Sequence, residues 1–453
     1  MSTIIEPPTG SGFPLLSPDS LKPEPAAWGA VCTPGELDEV ERVIADPGTA
    51  LRCRTPQETM LRVEPYLPDF GITRVAHVTW LDHVGIPVHT AHKPLGRSLS
   101  NGSGKGVTFE ASRVSAIMEA VEQTYWEETV LEMHFCSREE LIREGRRHCD
   151  PTLVPMMAGG IYQDDLPIHW TTMIDLFSGE EVLAPSSLVG LPKLSKATAR
   201  VCHQPCTNGL ASGSNMVEAI LSGLNESIER DALSLMKAAE GSPEREGAGN
   251  LNELRERMGD PLVSLLDKFD AADIGLALYD WSGPVGVPTY KGRIFELGAG
   301  GAGSFGGYGT SLDPEVAVIR AVTECAQSRG LIIAGARDDV FKSSRDSAVI
   351  HSRQGKEEER AIDTDSLPLL PDRENLSTGS ILHDVERLLG ILKANGMDEA
   401  LVYRFTEEGD PAQVVRILVP GLEGYQFSNY QPGPRAQALI DARARATPEG
   451  DGS

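Results

Sequence analysis

The chain has 453 residues and 48.8 kDa, with 66 acidic against 41 basic side chains and a formal net charge of −25. Such a surface repels phosphate backbones and anionic membranes, which argues against nucleic-acid binding and membrane docking. A hydrophobic content of 40% is enough for a sizeable core, no apolar run reaches the roughly 18 residues of a membrane span, and seven cysteines suit a reducing cytoplasm better than a disulfide scaffold.

Residues 1–69 are rich in proline, glycine and charge, with one short helical stretch near 35–46, and read as an N-terminal extension without the pattern of a signal peptide. A domain over 70–430 follows. It opens with two strands, GITRVAHVTWL and GIPVHTAHKP, split by a turn at Asp82 to Gly85. The stretch RSLSNGSGKG is expected to be a loop, leading into a long helix from Phe109 to about Met133. Residues 151–190 read as a β-hairpin, and TNGLASGSN as a second loop before a helix from Met216 to Glu240. The polar segment 241–258 reads as loop. Two strands and a third glycine-dense loop, GAGGAGSFGGYG, precede a helix from Pro314 to Arg329. A charged, irregular insertion is expected over 337–380, then a helix over 380–395 and two strands, EALVYRFT and VVRILVP. Residues 431–453 are expected to be a flexible C-terminal tail. Three times, therefore, a glycine-rich stretch precedes a glutamate-bearing helix.

On the first helix Ser115, Glu119 and Glu122 share one face, beside Val114, Ile117, Met118 and Val121. On the second, Glu218, Glu226 and Glu229 fall within about 80° at 100° per residue, and Arg230 follows Glu226 at ion-pair spacing. On the third, Glu324 and Gln327 share a face, with Arg320 one turn earlier. A glutamate at helical spacing is usually part of a solvated face or a surface ion pair, so no one of these sets is decisive alone. Packed together, the carboxylates would repel by about 4 kcal/mol per pair at 4 Å and an effective dielectric near 20. Such a cluster calls for cations or protonation, and hard oxygen donors suit Mg²⁺ bridging to nucleotide phosphates.

Other readings are weaker. GSGKGVT lacks P-loop spacing, since Gly106 stands where Ser or Thr should follow Lys105. GAGGAGSFGG has dinucleotide-like glycines but no acidic residue at the right place after them. The segment Cys202-His203-Gln204-Pro205-Cys206 would need two further ligands to hold zinc.

The three helix patterns, in this order, resemble the YcaO family over about residues 70–428. The first motif is Ser115, Glu119 and Glu122. The second is Glu218, Glu226, Glu229 and Arg230. The third is Arg320, Glu324, Gln327 and Arg329. The late strand ending LVPGLE, Leu418 to Glu423, is similar to the family's as well. Ser214 stands where the family usually carries Asn, with Asn215 adjacent. The resemblance implies an α+β YcaO-type fold, with β-sheets and long glutamate-bearing helices around a central Mg-ATP site. It implies ATP and Mg²⁺ as cofactors. Glu119, Glu122, Glu218, Glu226, Glu229 and Glu324 would hold the metal. Ser103, Lys105, Ser115, Ser214, Asn215, Arg230, Arg320, Gln327 and Arg329 would join them around the nucleotide. No residue is assigned as a covalent or acid–base catalyst.

The activity implied is phosphorylation of a backbone amide oxygen in a ribosomally made precursor peptide, then displacement of phosphate by a nucleophile. Sulfide would give a thioamide, an amine an amidine, and a side-chain thiol or hydroxyl an azoline. The tail QPGPRAQALIDARARATPEGDGS lacks the Pro-x-Pro-x-Pro ending of many azoline-forming members. Segment 71–122 looks most like the subgroup that works beside a TfuA partner in thioamide formation. That subgroup often carries His-Ala-Glu where this chain has Tyr125-Trp126-Glu127. Thioamidation with a TfuA-like partner is therefore the expectation. The alternatives are a macroamidine- or azoline-forming cyclodehydratase, or a non-catalytic ATP-binding scaffold or accessory factor. A homodimer is compatible with any of them.

Overall fold

The structure is a computed structural model, and it describes residues 23–40, 50–194, 202–203, 205–240, 251–296, 303–335, 370–424 and 430–446. Three short helices come first: α1 (Trp28–Val31), α2 (Pro34–Val40) and α3 (Pro56–Val63). Strands β1 (Arg74–His77), β2 (Val88–His92) and β3 (Asn101–Lys105) form an antiparallel sheet in that order, and α4 (Phe109–Glu128) packs on it. Next come β4 (His134–Cys136), α5 (Arg138–Arg143), β5 (Met156–Met157), the hairpin β6 (Ile168–Asp175) and β7 (Glu181–Pro185), and α6 (Ser186–Val189).

Strand β8 (Leu210–Gly213) then feeds the long helix α7 (Met216–Glu240). Helices α8 (Leu251–Arg257) and α9 (Asp260–Ala271) lead to β9 (Ile274–Asp280), β10 (Thr289–Glu296) and β11 (Ser304–Thr310), another antiparallel sheet ending at β11. Helix α10 (Pro314–Ile333) packs on it. The chain closes with α11 (Ile381–Ala394), β12 (Leu401–Arg404), β13 (Gln413–Leu418), β14 (Tyr430–Gln431) and α12 (Pro434–Ala446). The central sheet runs β4-β6-β12-β13-β8, with β7 paired to β6, so β8 is an edge strand. The architecture is α+β.

The glycine-rich stretches expected as loops are in large part edge strands. Their glycines are required by contact with the next helix. A Cβ on Gly104 would lie 2.1 Å from Ala116 N and Ser112 O of α4. One on Gly213 would meet Ala219 N of α7 at 2.6 Å, and one on Gly309 would meet Ala317 O of α10 at 2.1 Å. Each helix then starts on a side-chain cap. Thr108 accepts from Ala111 N, Asn215 from Val217 N, and Asp313 from Glu315 N and Val316 N. The result is one strand–helix unit built three times. The units close on one another: α4 also touches β8, α7 touches β11, and α10 touches β3.

Several boundaries differ from the sequence reading. The expected N-terminal extension, 1–69, is in part core: Val31, Cys32, Val40 and Cys53 pack with α7 and α11, and Arg404 pairs with Glu36. Helix α8 occupies part of the segment 241–258. The first helix ends at Glu128, before Thr129 turns to extended backbone. The expected flexible tail, 431–453, contains α12, whose Ala436, Leu439 and Ile440 pack on Leu235 and Ala238 of α7. Most of the charged insertion expected over 337–380 lies outside the described residues.

Candidate functional site

The three edge strands present their outward side chains to the helices. From β3, Ser103 donates through N and Oγ to Glu119 Oε2, at 3.1 and 3.2 Å. Lys105 Nζ crosses to Glu324 of α10. From β8, Ser212 Oγ donates to Glu122 Oε1 at 2.6 Å. From β11, Tyr308 lies within the field of Glu324, Arg230 and Glu229. Sequence reasoning passed over Ser212 and Tyr308, because both sit in stretches that read as loops.

Five of the six expected carboxylates share one electrostatic environment. Burial pushes the Glu119 carboxyl up to about 7, against the Ser103 hydrogen bonds and Lys105, with Glu226 adding to the rise. Burial pushes Glu122 up to about 8, with Glu119 and Glu226 as neighbouring charges. Glu226 and Glu229 are likewise raised by burial, against Arg230. Burial also opposes ionisation of Glu324, but Lys105, Arg230 and Arg320 together hold it below the ordinary carboxylate range. Arg230 lies 3.6 Å from Glu226 and 3.7 Å from Glu229. Its guanidinium is held firmly protonated by Glu229, Glu226 and Glu324, against burial.

Glu218 stands apart. It lies two turns before Glu226 on α7, about 12 Å along the axis. It accepts from Cys53 N at 3.1 Å, Ser214 Oγ at 2.8 Å and Arg52 Nη1 at 3.3 Å. A cleft beside the middle of α7 is lined by Arg52, Ser222, Asn225, Asp313 and Arg320, and by none of the six carboxylates. Ser214 and Asn215 hold the start of α7, Asn215 by donating to Glu36 O at 2.8 Å. Arg329 is buried away from the cluster, paired with Asp82 at 2.8 Å and Glu296 at 2.9 Å. Ser115 and Gln327 are half-buried on their helices.

Several polar atoms of the cluster lack hydrogen-bond partners among the described residues: Glu229 Oε2, Arg230 Nε, Arg320 Nε and Asn225 Oδ1. Such buried groups call for a partner, which can be water, an ion or a polar ligand. Mg²⁺ takes hard oxygen donors, with phosphate oxygens and water completing its shell. The oxygen-rich donors fit the metal, and Lys105, Arg230 and Arg320 fit the phosphates.

The arrangement is that of a metal-dependent nucleotide site without a P-loop. Residues 103–423 match the family model described as YcaO cyclodehydratase, ATP- and Mg²⁺-binding. The chain is 33% identical over 410 residues to an uncharacterised protein from the tfuA 3′ region of Rhizobium leguminosarum bv. trifolii, covering 86% of this chain and 93% of that one. It is 33% identical over 398 residues to an uncharacterised protein of Methanothermobacter thermautotrophicus, covering 85% and 98%. Among solved structures, YcaO from Methanopyrus kandleri bound with AMPPCP and Mg²⁺ superposes with a TM-score of 0.60 at 24% identity, over 85% of this chain and 95% of that one. A heterocyclase in complex with substrate and cofactor superposes with a TM-score of 0.67 at 22% identity, over 85% of this chain and 55% of that longer one. The chain belongs to the YcaO family. It is an ATP- and Mg²⁺-dependent peptide-modifying enzyme of that family.

Proposed function

We propose that this chain, with a TfuA-like partner, converts a backbone amide of a ribosomally synthesised peptide into a thioamide. The observation that carries the reading is the 33%-identical relative encoded in a tfuA region.

In this reading the amide oxygen attacks the γ-phosphorus and ADP leaves. Sulfide then adds to the amide carbon, and phosphate departs with the former amide oxygen. Bound Mg²⁺ supplies the charge that offsets the phosphate oxygens during transfer. Glu119, Glu122, Glu226, Glu229 and Glu324 hold the metal. Lys105, Arg230 and Arg320 hold and orient the phosphates. Glu218, held by Arg52 and Ser214, stands apart from these five.

The test combines the purified chain with ATP, Mg²⁺, sulfide, and the TfuA-like protein and precursor peptides of its gene neighbourhood. The expected product shows the mass change of oxygen replaced by sulfur, with ADP released. Loss of water instead would establish azoline or amidine formation. Nucleotide binding without turnover would establish a scaffold.

A further inference from the structure

Lys105 makes a contact that a place on the nucleotide phosphates does not explain. It is the last residue of β3, and its ammonium crosses to α10 and donates to Glu324 Oε2. Of Lys105, Arg230 and Arg320, only Lys105 hydrogen-bonds to a carboxylate of the cluster among the described residues. Arg230 stays 3.6 and 3.7 Å from two glutamates of its own helix, and Arg320 Nε has no partner among the described residues. The donors to Glu119 and Glu122 are the neutral hydroxyls of Ser103 and Ser212, which leave the carboxylate charge for a metal. Lys105 instead offsets the charge of Glu324 and holds the oxygen that a metal ion would take.

The geometry also fixes which partner can move. A Cβ on Gly307 would lie 2.7 Å from Glu324 Cβ, so α10 is seated against the backbone of β11 at this residue. Lys105 carries a compact charge on a flexible four-carbon stem. Its side chain is 18% exposed and that of Glu324 is 23%, so the pair can open without unfolding either element. Leaving Glu324 deprives Lys105 of its anion unless another is at hand, and a nucleotide phosphate is such an anion.

We propose that Lys105 is a placeholder cation on Glu324 that couples metal binding to nucleotide binding. Paired with Glu324, Lys105 competes with Mg²⁺ for that carboxylate. With a nucleotide present, Lys105 exchanges Glu324 for a phosphate oxygen and frees the carboxylate for the metal. Each ligand thereby raises the affinity for the other, by the same factor in both directions. The proposal rests on the assignment of Glu324 as a metal ligand and is independent of which product the enzyme makes.

The test is metal binding to the full chain, with Mn²⁺ as the probe for Mg²⁺ and the paramagnetic resonance signal of free Mn²⁺ as the readout. Lys105→Met keeps a long stem without the charge. In the absence of nucleotide it is expected to bind Mn²⁺ at least about fivefold tighter than wild type, the lower end of ordinary couplings. Lys105→Gln, equally uncharged, should do the same. The gain should vanish when Lys105→Met is made in a Glu324→Gln background, a cycle that also subtracts metal held elsewhere on this acidic chain. The factor by which Mg²⁺ tightens binding of AMPPCP, read by calorimetry, should fall in Lys105→Met by the ratio that Mn²⁺ binding gains. Unchanged or weaker Mn²⁺ binding by both uncharged variants overturns the placeholder, as does a gain that survives in the Glu324→Gln background. Glu324→Gln that binds Mn²⁺ with AMPPCP as tightly as wild type overturns the metal assignment itself, and the placeholder with it.

Discussion

Glu119 and Glu122 carry opposing demands in single side chains. Each is buried among like charges, yet each must ionise to hold a cation. Their folded-state carboxyls sit near 7 and 8, above the ordinary carboxylate range. A raised acid favours folding while it is protonated and loses that contribution as pH rises through its folded value. Metal-free protein should therefore lose stability between about pH 5 and 8, and Glu119→Gln with Glu122→Gln should flatten that slope. Urea denaturation across this range checks it, and an unchanged slope in the double variant would remove these two groups as the cause. Glu324 acts with opposite sign, because its folded value is depressed. Glu226→Gln or Glu229→Gln should abolish ATP-dependent modification with the circular dichroism spectrum unchanged, since each removes a charge from a site built to hold cations. Wild-type turnover by either variant at low Mg²⁺ would exclude that residue as a ligand. Lys105→Ala should raise the KM for ATP and also release Glu324. An unchanged KM would leave Lys105 as a strut between β3 and α10.

The elements explain why glycine dominates these motifs. Glycine reads as punctuation in a sequence and has low strand propensity, so GSGKG, LASG and SFGGYGT look like loops. They are strands because a helix backbone lies where side chains would be. Gly104→Ala places Cβ against Ala116 N and Ser112 O, backbone atoms that cannot turn aside. The expected cost is at or above the upper end of overpacking, about 3 kcal/mol, read as a shift in the denaturation midpoint. Helix α12 makes a similar point at the other end of the chain. Arg435 pairs with Asp231 of α7, one residue beyond Arg230, and Glu423 caps the start of α12 through Gly433 N, Arg435 N and Ala436 N. Deleting residues 434–453 should therefore lower stability and ATP-dependent activity together, by uncovering Leu235 and Ala238. A truncated chain with wild-type melting temperature and turnover would show that α12 is dispensable.

Across the whole molecule, the long motif-bearing helices were legible, whereas α8, α9, α12 and the surroundings of the site were not. The span of α7 follows from its periodicity, and that of α11 to within a residue at either end. The shared glutamate faces of α4 and α7 could be read from spacing alone. Contacts between distant segments left no such mark. Arg52 reaches Glu218 across the core, so residues taken for an extension help to build the cleft. Arg416, a lone cation in the apolar run VVRILVP, is buried and donates to Cys206 Sγ at 3.5 Å, a contact the sequence reading passed over. Glu127, noted only within a subgroup pattern, is a buried anchor that accepts from Lys93, Arg97 and Ser98.

The cyclic contact of the three strand–helix units bears on how the chain folds and how it comes apart. Lys105 and Glu324 are separated by 219 residues in the chain, so their meeting comes late and depends on everything between them. No single unit carries enough of the cleft to hold a nucleotide. On the proposed site, Mg-ATP would act as a fastener across three seams, and its occupancy would be linked by mass action to the melting temperature. At a free concentration one hundred times Kd, the linkage is worth about 2.7 kcal/mol. Damage at any one seam, however far from the phosphates, should weaken nucleotide binding at all of them.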